Sequence, residues 1–192
     1  MSAPLPRHPD LLDASRSALL VIDLQSRLLA AIPTAQRDVW NASRLVEGAR
    51  ALGVATAATE QRPDKLGPTV PELGERLPEP LAKACFSAGE RGELVRGWLD
   101  EGRDQVLLCG AETHVCVAQT AMDLLAAGLS VAIAVDAVGS RYAVDHQTAL
   151  RRLESCGATL TTTEAALFEW CATSEHAEFK TISALVKEPQ PE

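Results

Sequence analysis

The chain has 192 residues, a length that fits one domain and can bury a sizeable core without disulfides or structural metals. Aromatic residues make up only 4% of it, so its core must be built mainly from Ala, Leu and Val. The net charge is −8 and the Lys and Arg residues are scattered, which argues against nucleic acid or an anionic membrane as the main partner.

The five cysteines are odd in number and form no CxxC pair, and the four histidines lie far apart. We therefore expect neither a disulfide framework nor a bound metal, and nothing in the sequence calls for a cofactor. Residues 1–16 are polar and lack the apolar stretch of a signal peptide, and the longest apolar runs are too short to span a bilayer. A reducing cytoplasm is the expected location.

Short apolar runs alternate with helical patterns along the whole chain. The runs predict strands at 18–22, 54–58, 81–86, 106–109, 131–135 and 158–161. Helical spacing predicts helices at 36–52, 94–99, 117–125, 144–156, 164–171 and 176–186. Residues 62–80 are rich in Pro and Gly and predict a loop or an ordered excursion.

This alternation predicts an α/β fold, a single-domain three-layer α/β/α sandwich with a mostly parallel, Rossmann-like sheet of six strands. Residues 1–16 form an N-terminal arm in this interpretation, residues 17–186 the domain and residues 187–192 a C-terminal tail. In such sheets the chemistry gathers where the carboxyl ends of the strands open into loops.

Two charged residues lie at predicted carboxyl ends of strands. Asp23 follows the first strand directly, where partial burial can raise a carboxyl pKa enough for proton transfer; it could equally be a helix N-cap. Lys83 stands among small and apolar neighbours, either extending to water or held as a cation beside a carboxylate.

One cysteine differs from the others in its context. Cys116 follows a strand and the glycine turn at Gly110, and it opens an amphipathic helix whose N-terminus favours a thiolate. An inert buried cysteine is the alternative, and it is our interpretation of the other four. A carboxylate, an ammonium and a thiol together make a nucleophilic catalyst, and we expect such a thiol to react unusually fast with iodoacetamide at neutral pH.

These segments resemble the isochorismatase-like cysteine hydrolases, a family that includes nicotinamidases, carbamoylsarcosine amidases and isochorismatases. The resemblance rests on LLVIDLQ, KACFSA and GAETHVCVAQTAMDLLAAG, and extends from about residue 17 to the C-terminus. The stretch TEQRPDKLGPTVPEL is similar to the isochorismatase-domain-containing subgroup of animals and their bacterial relatives.

The resemblance implies a catalytic triad of Asp23, Lys83 and Cys116. It also implies a non-proline cis peptide bond between Ala111 and Glu112, with an oxyanion hole formed by the backbone N–H groups of Glu112 and Cys116. It further implies that the substrate is a small molecule and that the chain assembles into a dimer or tetramer.

The sequence departs from nicotinamidases after the second strand. It reads Thr59-Glu60-Gln61 there, without the histidine of their metal motif, so neither zinc nor nicotinamidase activity is expected. Gln61 is instead a candidate substrate donor or a loop-stabilising amide. Phe86 and Thr113 are further candidate substrate contacts, although an aromatic residue at the position of Phe86 is more often part of the core.

Three functions remain open at this point. The first is hydrolysis of a small amide-like C–N bond through a thioester on Cys116. The second is ether cleavage of the isochorismatase type with Asp23 as general acid, and the third is a binding protein of the same fold without turnover. His114, Glu112, Asp136 and His146 are interpreted as supporting residues, with Asp136 as a cap and His146 at the surface or an interface.

Overall fold

The computed structural model describes residues 5–191. Its centre is a sheet of six strands in the order β3-β2-β1-β4-β5-β6, with every pairing parallel. The strands are β1 Ser17–Ile22, β2 Ala55–Gln61, β3 Leu81–Lys83, β4 Gln105–Ala111, β5 Ser130–Gly139 and β6 Thr159–Thr161. The predicted sandwich and its sheet are confirmed.

Helices cover both faces of the sheet. They are α1 Ser26–Leu29, α2 Ala35–Leu52, α3 Pro63–Leu66, α4 Pro71–Gly74, α5 Gly92–Asp100, α6 Ala118–Ala126, α7 Ala143–Ser155, α8 Thr163–Cys171 and α9 Phe179–Val186. A 3₁₀ turn spans Ala88–Glu90, and a π-helical turn spans Thr113–Val117.

The period-2 alternation of the strands divides the core into two halves. Leu19 and Val21 of β1 pack with α2, α8 and α9, whereas Ala18, Leu20 and Ile22 pack with α5, α6 and α7. All of these β1 side chains are buried, because a parallel sheet between two helical layers has no face open to water. The near-continuous apolar run in the sequence reflects this position.

The segment at 62–80 is more regular than the loop that its composition predicts. Pro63 and Pro71 each stand in the first turn of a short helix, where the missing N–H of proline costs nothing. The Gln25 amide donates to the carbonyl oxygens of Gln61 (3.1 Å) and Gly67 (2.6 Å), which ties the segment to the end of β1. The prolines therefore start helices here instead of marking an irregular chain.

The nucleophile segment also differs from its prediction. Cys116 lies inside the π-helical turn, and the regular helix α6 begins only at Ala118. This turn leads directly into α6, so the thiol does lie in the first turn of a helical segment, but that turn is wider than the α-helical one that the sequence predicts. A wider turn of this kind places one extra residue in the ladder and is common at functional sites.

Candidate active site

The carboxyl ends of β1 and β3 and the turn after β4 bring Asp23, Lys83 and Cys116 together. Asp23 directly follows β1 with a positive φ of 52°, a conformation that Asp tolerates better than most residues. Its N–H donates to the carbonyl oxygen of Thr59 on β2 at 3.1 Å. This bond continues the sheet by one residue and turns the carboxylate inward.

Asp23 and Lys83 form a fully buried ion pair. Lys83 Nζ lies 2.6 Å from Asp23 Oδ2, and both side chains are 0% exposed. The Thr59 hydroxyl donates to Asp23 Oδ1 at 2.8 Å. Lys83 also donates to Gln61 Oε1 at 2.8 Å and to the carbonyl oxygen of Phe86 at 2.9 Å. Each charge is thus compensated by an opposite charge and by hydrogen bonds, the condition under which a buried pair persists.

The Cys116 thiol lies against this pair and is itself buried, at 4% exposure. Burial and then the negative charge of Asp23 raise the pKa of Cys116 to about 12, while the Lys83 ammonium acts in the opposite direction. Asp23 and Lys83 are thus both close enough to the thiol to influence its ionisation. The resting thiol is therefore held in its protonated form at neutral pH, and fast alkylation by iodoacetamide stays a prediction that the reaction rate would decide.

The backbone before the thiol has an unusual geometry. The peptide bond between Ala111 and Glu112 is cis. Gly110 has a φ of 129°, and a Cβ at this position would collide with the backbone of Ile22 on β1. Only glycine allows β4 to pass so close to β1 in this conformation. The Glu112 carboxylate accepts the N–H of Arg141 at 2.9 Å, in keeping with its predicted supporting role.

The three candidate substrate contacts have different surroundings. Gln61 uses both ends of its amide within the protein, because Oε1 accepts from Lys83 and Nε2 donates to the carbonyl oxygen of Ala84 at 2.7 Å. Phe86 is 52% exposed, and it meets Lys83 through its carbonyl oxygen. Thr113 is fully buried, and its hydroxyl lies 3.0 Å from Nδ1 of His146.

The remaining polar candidates support neighbouring segments. His114 Nδ1 lies 3.1 Å from the Ser140 hydroxyl. Asp136 lies inside β5 and does not end the strand, and its carboxylate accepts the N–H of Thr163 at 2.8 Å; it thus supports the first residue of α8, whose N-cap is Thr162. Sequence reasoning missed the contact of His146 with Thr113 and that of Thr59 with Asp23. The signal for Thr59 was a hydroxyl at the end of a strand beside Asp23, which is visible only once β1 and β2 are paired.

The reacting groups of the site are buried: the side chains of Asp23 and Lys83 are 0% exposed, and Cys116 is 4% exposed. The four cavities described for residues 5–191 are lined by other residues; one of about 660 Å³ lies between α2, α4 and the end of α9. Within the same residues, no cluster of three or more His, Cys, Asp or Glu side chains has the arrangement of a metal site. Nor does any helix in this part of the chain combine the length and hydropathy needed to cross a membrane.

Comparison with known proteins shows which family the chain belongs to. The model of the isochorismatase domain matches residues 17–165, which covers all six strands. The chain belongs to the isochorismatase family. Isochorismatase domain-containing protein 2 of Bos taurus is 44% identical over 100% of this chain and 93% of its own length. The family and subgroup that the sequence motifs indicate are confirmed.

Solved structures agree on the fold. The MAR1 ribonuclease of Caenorhabditis elegans superposes with a TM-score of 0.88 at 38% identity and covers 94% of both chains. YcaC of Pseudomonas aeruginosa, solved with hexane-2,5-diol and covalent acrylamide, has a TM-score of 0.84 at 25% identity over 94% of this chain and 92% of its own.

A second YcaC, from Escherichia coli, is described as an octameric hydrolase of unknown specificity. It has a TM-score of 0.82 at 25% identity over 96% of this chain and 92% of its own. Together with the family match, these neighbours identify the chain as an isochorismatase-like hydrolase.

Proposed function

We propose that this isochorismatase-like hydrolase cleaves the C–N bond of a small amide, with Cys116 as nucleophile, Asp23 as general base and acid, and Lys83 as the cation that holds them. The observation that carries the proposal is the buried ion pair at 2.6 Å in contact with the thiol. A fully buried charged pair is costly to build, and its position beside a thiol suits proton transfer.

The first half of the reaction forms a thioester. Asp23 takes the proton of the Cys116 thiol as the sulfur attacks the substrate carbonyl carbon. The backbone N–H groups of Glu112 and Cys116 stabilise the oxyanion. Asp23 then gives its proton to the leaving nitrogen, the C–N bond breaks, and an amine or ammonia departs. Because the resting thiol is protonated, deprotonation is coupled to attack and no thiolate has to persist in the empty site.

The second half returns the enzyme to its starting state. Water attacks the thioester carbonyl and gives a proton to Asp23. The C–S bond breaks, a carboxylic acid leaves, and the proton passes from Asp23 to the sulfur. Lys83 holds Asp23 in place throughout, since its amine nitrogen donates to Asp23 and is itself fixed by hydrogen bonds to Gln61 and the carbonyl oxygen of Phe86. The P. aeruginosa YcaC structure contains covalent acrylamide, which supports the view that a protein of this fold can react with a small amide-bearing electrophile.

The other candidate functions have less support. Ether cleavage by Asp23 alone gives the thiol no role, although the thiol lies against the ion pair. Ribonuclease activity has less support, because a net charge of −8 disfavours binding of a phosphate backbone and the Asp23, Lys83 and Cys116 side chains are buried. A binding protein without turnover would not need a thiol, a carboxylate and an ammonium in mutual contact.

The test is a panel of small amides, with release of ammonia or amine as the readout and three matched variants. The proposal expects Cys116→Ala and Asp23→Asn each to lose at least about a thousandfold in kcat/KM. Gln147→Leu, on the exposed side of α7, should keep the wild-type rate. Full activity in Cys116→Ala with loss in Asp23→Asn would exclude the thioester route and favour the ether-type mechanism.

We further propose that the chain acts as an oligomer with a small-molecule substrate. Tyr142 and Val144 lie 62% and 67% exposed at the start of α7, next to the segment that contacts the nucleophile turn. Apolar side chains exposed this close to a site are typical of an interface. The octameric E. coli YcaC supports assembly in this fold.

A further inference from the structure

Three consecutive residues before the thiol each contact one short segment, residues 140–146. The Glu112 carboxylate accepts the N–H of Arg141 at 2.9 Å, and His114 Nδ1 lies 3.1 Å from the Ser140 hydroxyl. Between them, the Thr113 hydroxyl lies 3.0 Å from His146 Nδ1. We call Ser140–His146 the clamp segment. It joins the end of β5 to the first turn of α7, so it connects the nucleophile turn to two elements that do not carry the reacting groups.

The Thr113 contact is the most deeply placed of the three. Thr113 is 0% exposed, whereas the Glu112 and His114 contacts lie nearer the surface. A buried hydroxyl that loses its partner pays the full cost of desolvation, so this bond constrains the turn more strongly than an exposed one does. Thr113 is also the first residue of the π-helical turn that contains Cys116.

His146 lies within the electrostatic influence of two residues of α2. Burial is the main influence on its ring and lowers its pKa; the Asp38 carboxylate acts in the opposite direction, and Arg37 adds to the lowering. Asp38 is 1% exposed and is fixed by hydrogen bonds from Thr34 and Arg37. The ring is therefore neutral at neutral pH, and Nδ1 can accept the Thr113 hydroxyl proton.

We propose that His146 is a positioning residue: through Thr113 it fixes the π-helical turn and keeps the Cys116 sulfur against Asp23 and Lys83. The part of this inference that concerns turnover rests on the proposed amidase function. The part that concerns the thiol does not, because the position of Cys116 can be measured without a substrate.

The experiment compares His146→Leu with His146→Asn in the full-length protein. Leu removes the hydrogen bond, whereas the Asn side-chain amide places a polar atom close to the position of Nδ1. The first readout is the rate at which acrylamide alkylates each cysteine at neutral pH, measured peptide by peptide by mass spectrometry. Cys109 and Cys171, at 0% and 1% exposure, report global opening of the fold. Gln147→Leu is the matched control on the same helix.

The inference expects alkylation of Cys116 to change by at least about threefold in His146→Leu, with Cys109 and Cys171 unchanged. His146→Asn should return the rate towards wild type, and Thr113→Val should reproduce the Leu variant without adding to it in the double variant. An unchanged Cys116 rate, or an equal acceleration at all three buried cysteines, would overturn the positioning role.

The second readout is turnover of whichever amide the panel identifies. The inference expects kcat to fall by about fivefold or more in His146→Leu while KM changes by less than about twofold. A loss confined to KM would contradict it. If no amide is turned over by the wild type, the proposed function fails, while the alkylation result still decides whether His146 positions the thiol.

Discussion

Lys83 is the residue on which the site depends most for its stability. Its ammonium is fully buried and reaches Asp23, Gln61 and Phe86 with its three hydrogens. The sequence left open whether this lysine extends to water or pairs with a carboxylate, because both readings fit small apolar neighbours. The pairing became visible only when β1 and β3 were placed on either side of β2.

Removal of this cation should be costly. We expect Lys83→Met to destabilise the fold by about 3–5 kcal/mol, because the Asp23 carboxylate is then buried without a counter-charge. Urea unfolding of the single variant and of the double variant Asp23→Asn/Lys83→Met measures the effect. The double variant should be more stable than Lys83→Met alone; a double variant that loses the sum of both single effects would argue against a coupled pair.

The surroundings of His146 predict that the stability of the fold depends on pH. Its pKa lies below the ordinary 6.5 in the folded chain because of burial, despite Asp38, so the unfolded chain binds this proton more readily. The free energy of unfolding should therefore decrease as pH falls through about 6.5 towards the lowered value. Denaturant titrations at pH 8 and pH 5.5 should show a smaller decrease in His146→Asn than in wild type. An identical decrease would assign the pH dependence to other groups.

At the scale of elements, the sequence predicted the strands better than the turns between them. Short apolar runs located all six strands. Burial on both faces explains the continuous signal of β1 and β4, whereas β3 and β6 are short and more exposed. The sequence did not predict the shortest helices, because α1, α3 and α4 have four residues each, too few for a periodic pattern. The π-helical turn was missed because its residues fit an α-helical pattern equally well, and only the ladder geometry separates the two.

The close pairing of β4 with the end of β1, where Gly110 lies opposite Ile22, gives a prediction at this scale. Gly110→Ala should destabilise the fold by more than about 3 kcal/mol or prevent folding, because its Cβ meets the Ile22 backbone at a φ that disfavours side chains. Gly97→Ala is the matched control: Gly97 lies inside α5 with open space around it, so it should gain up to about 1 kcal/mol. Thermal melts of both variants compare them, and similar melting temperatures would contradict the packing argument.

At the scale of the whole molecule, the buried reacting groups and the exposed apolar residues near them both suit an assembly of several chains. The side chains of Asp23 and Lys83 are fully buried, so a substrate must reach them past the residues that cover them. Tyr142 and Val144 are both exposed on the clamp segment, Val144 in the first turn of α7. A second copy at this surface would lie next to the elements that hold the nucleophile turn. The sequence predicted assembly only by resemblance, because an interface leaves no periodic signal of its own.

Light scattering coupled to size-exclusion chromatography measures the assembly. We expect a particle of at least two chains of 20.4 kDa. The double variant Tyr142→Ser/Val144→Ser should shift the particle to a smaller species, because it removes exposed apolar area from the proposed contact. A wild-type protein that runs as a monomer at micromolar concentration would contradict the proposed oligomer.

The central claim is that Cys116 carries the acyl group of an amide substrate. Rapid acid quench during turnover, followed by mass spectrometry of the Cys116 peptide, measures it most directly. The account predicts an adduct whose mass equals the substrate minus its amine, formed on Cys116 and absent from Cys85, Cys109, Cys156 and Cys171. Steady turnover with every cysteine unmodified, and the same rate in Cys116→Ala, would contradict it.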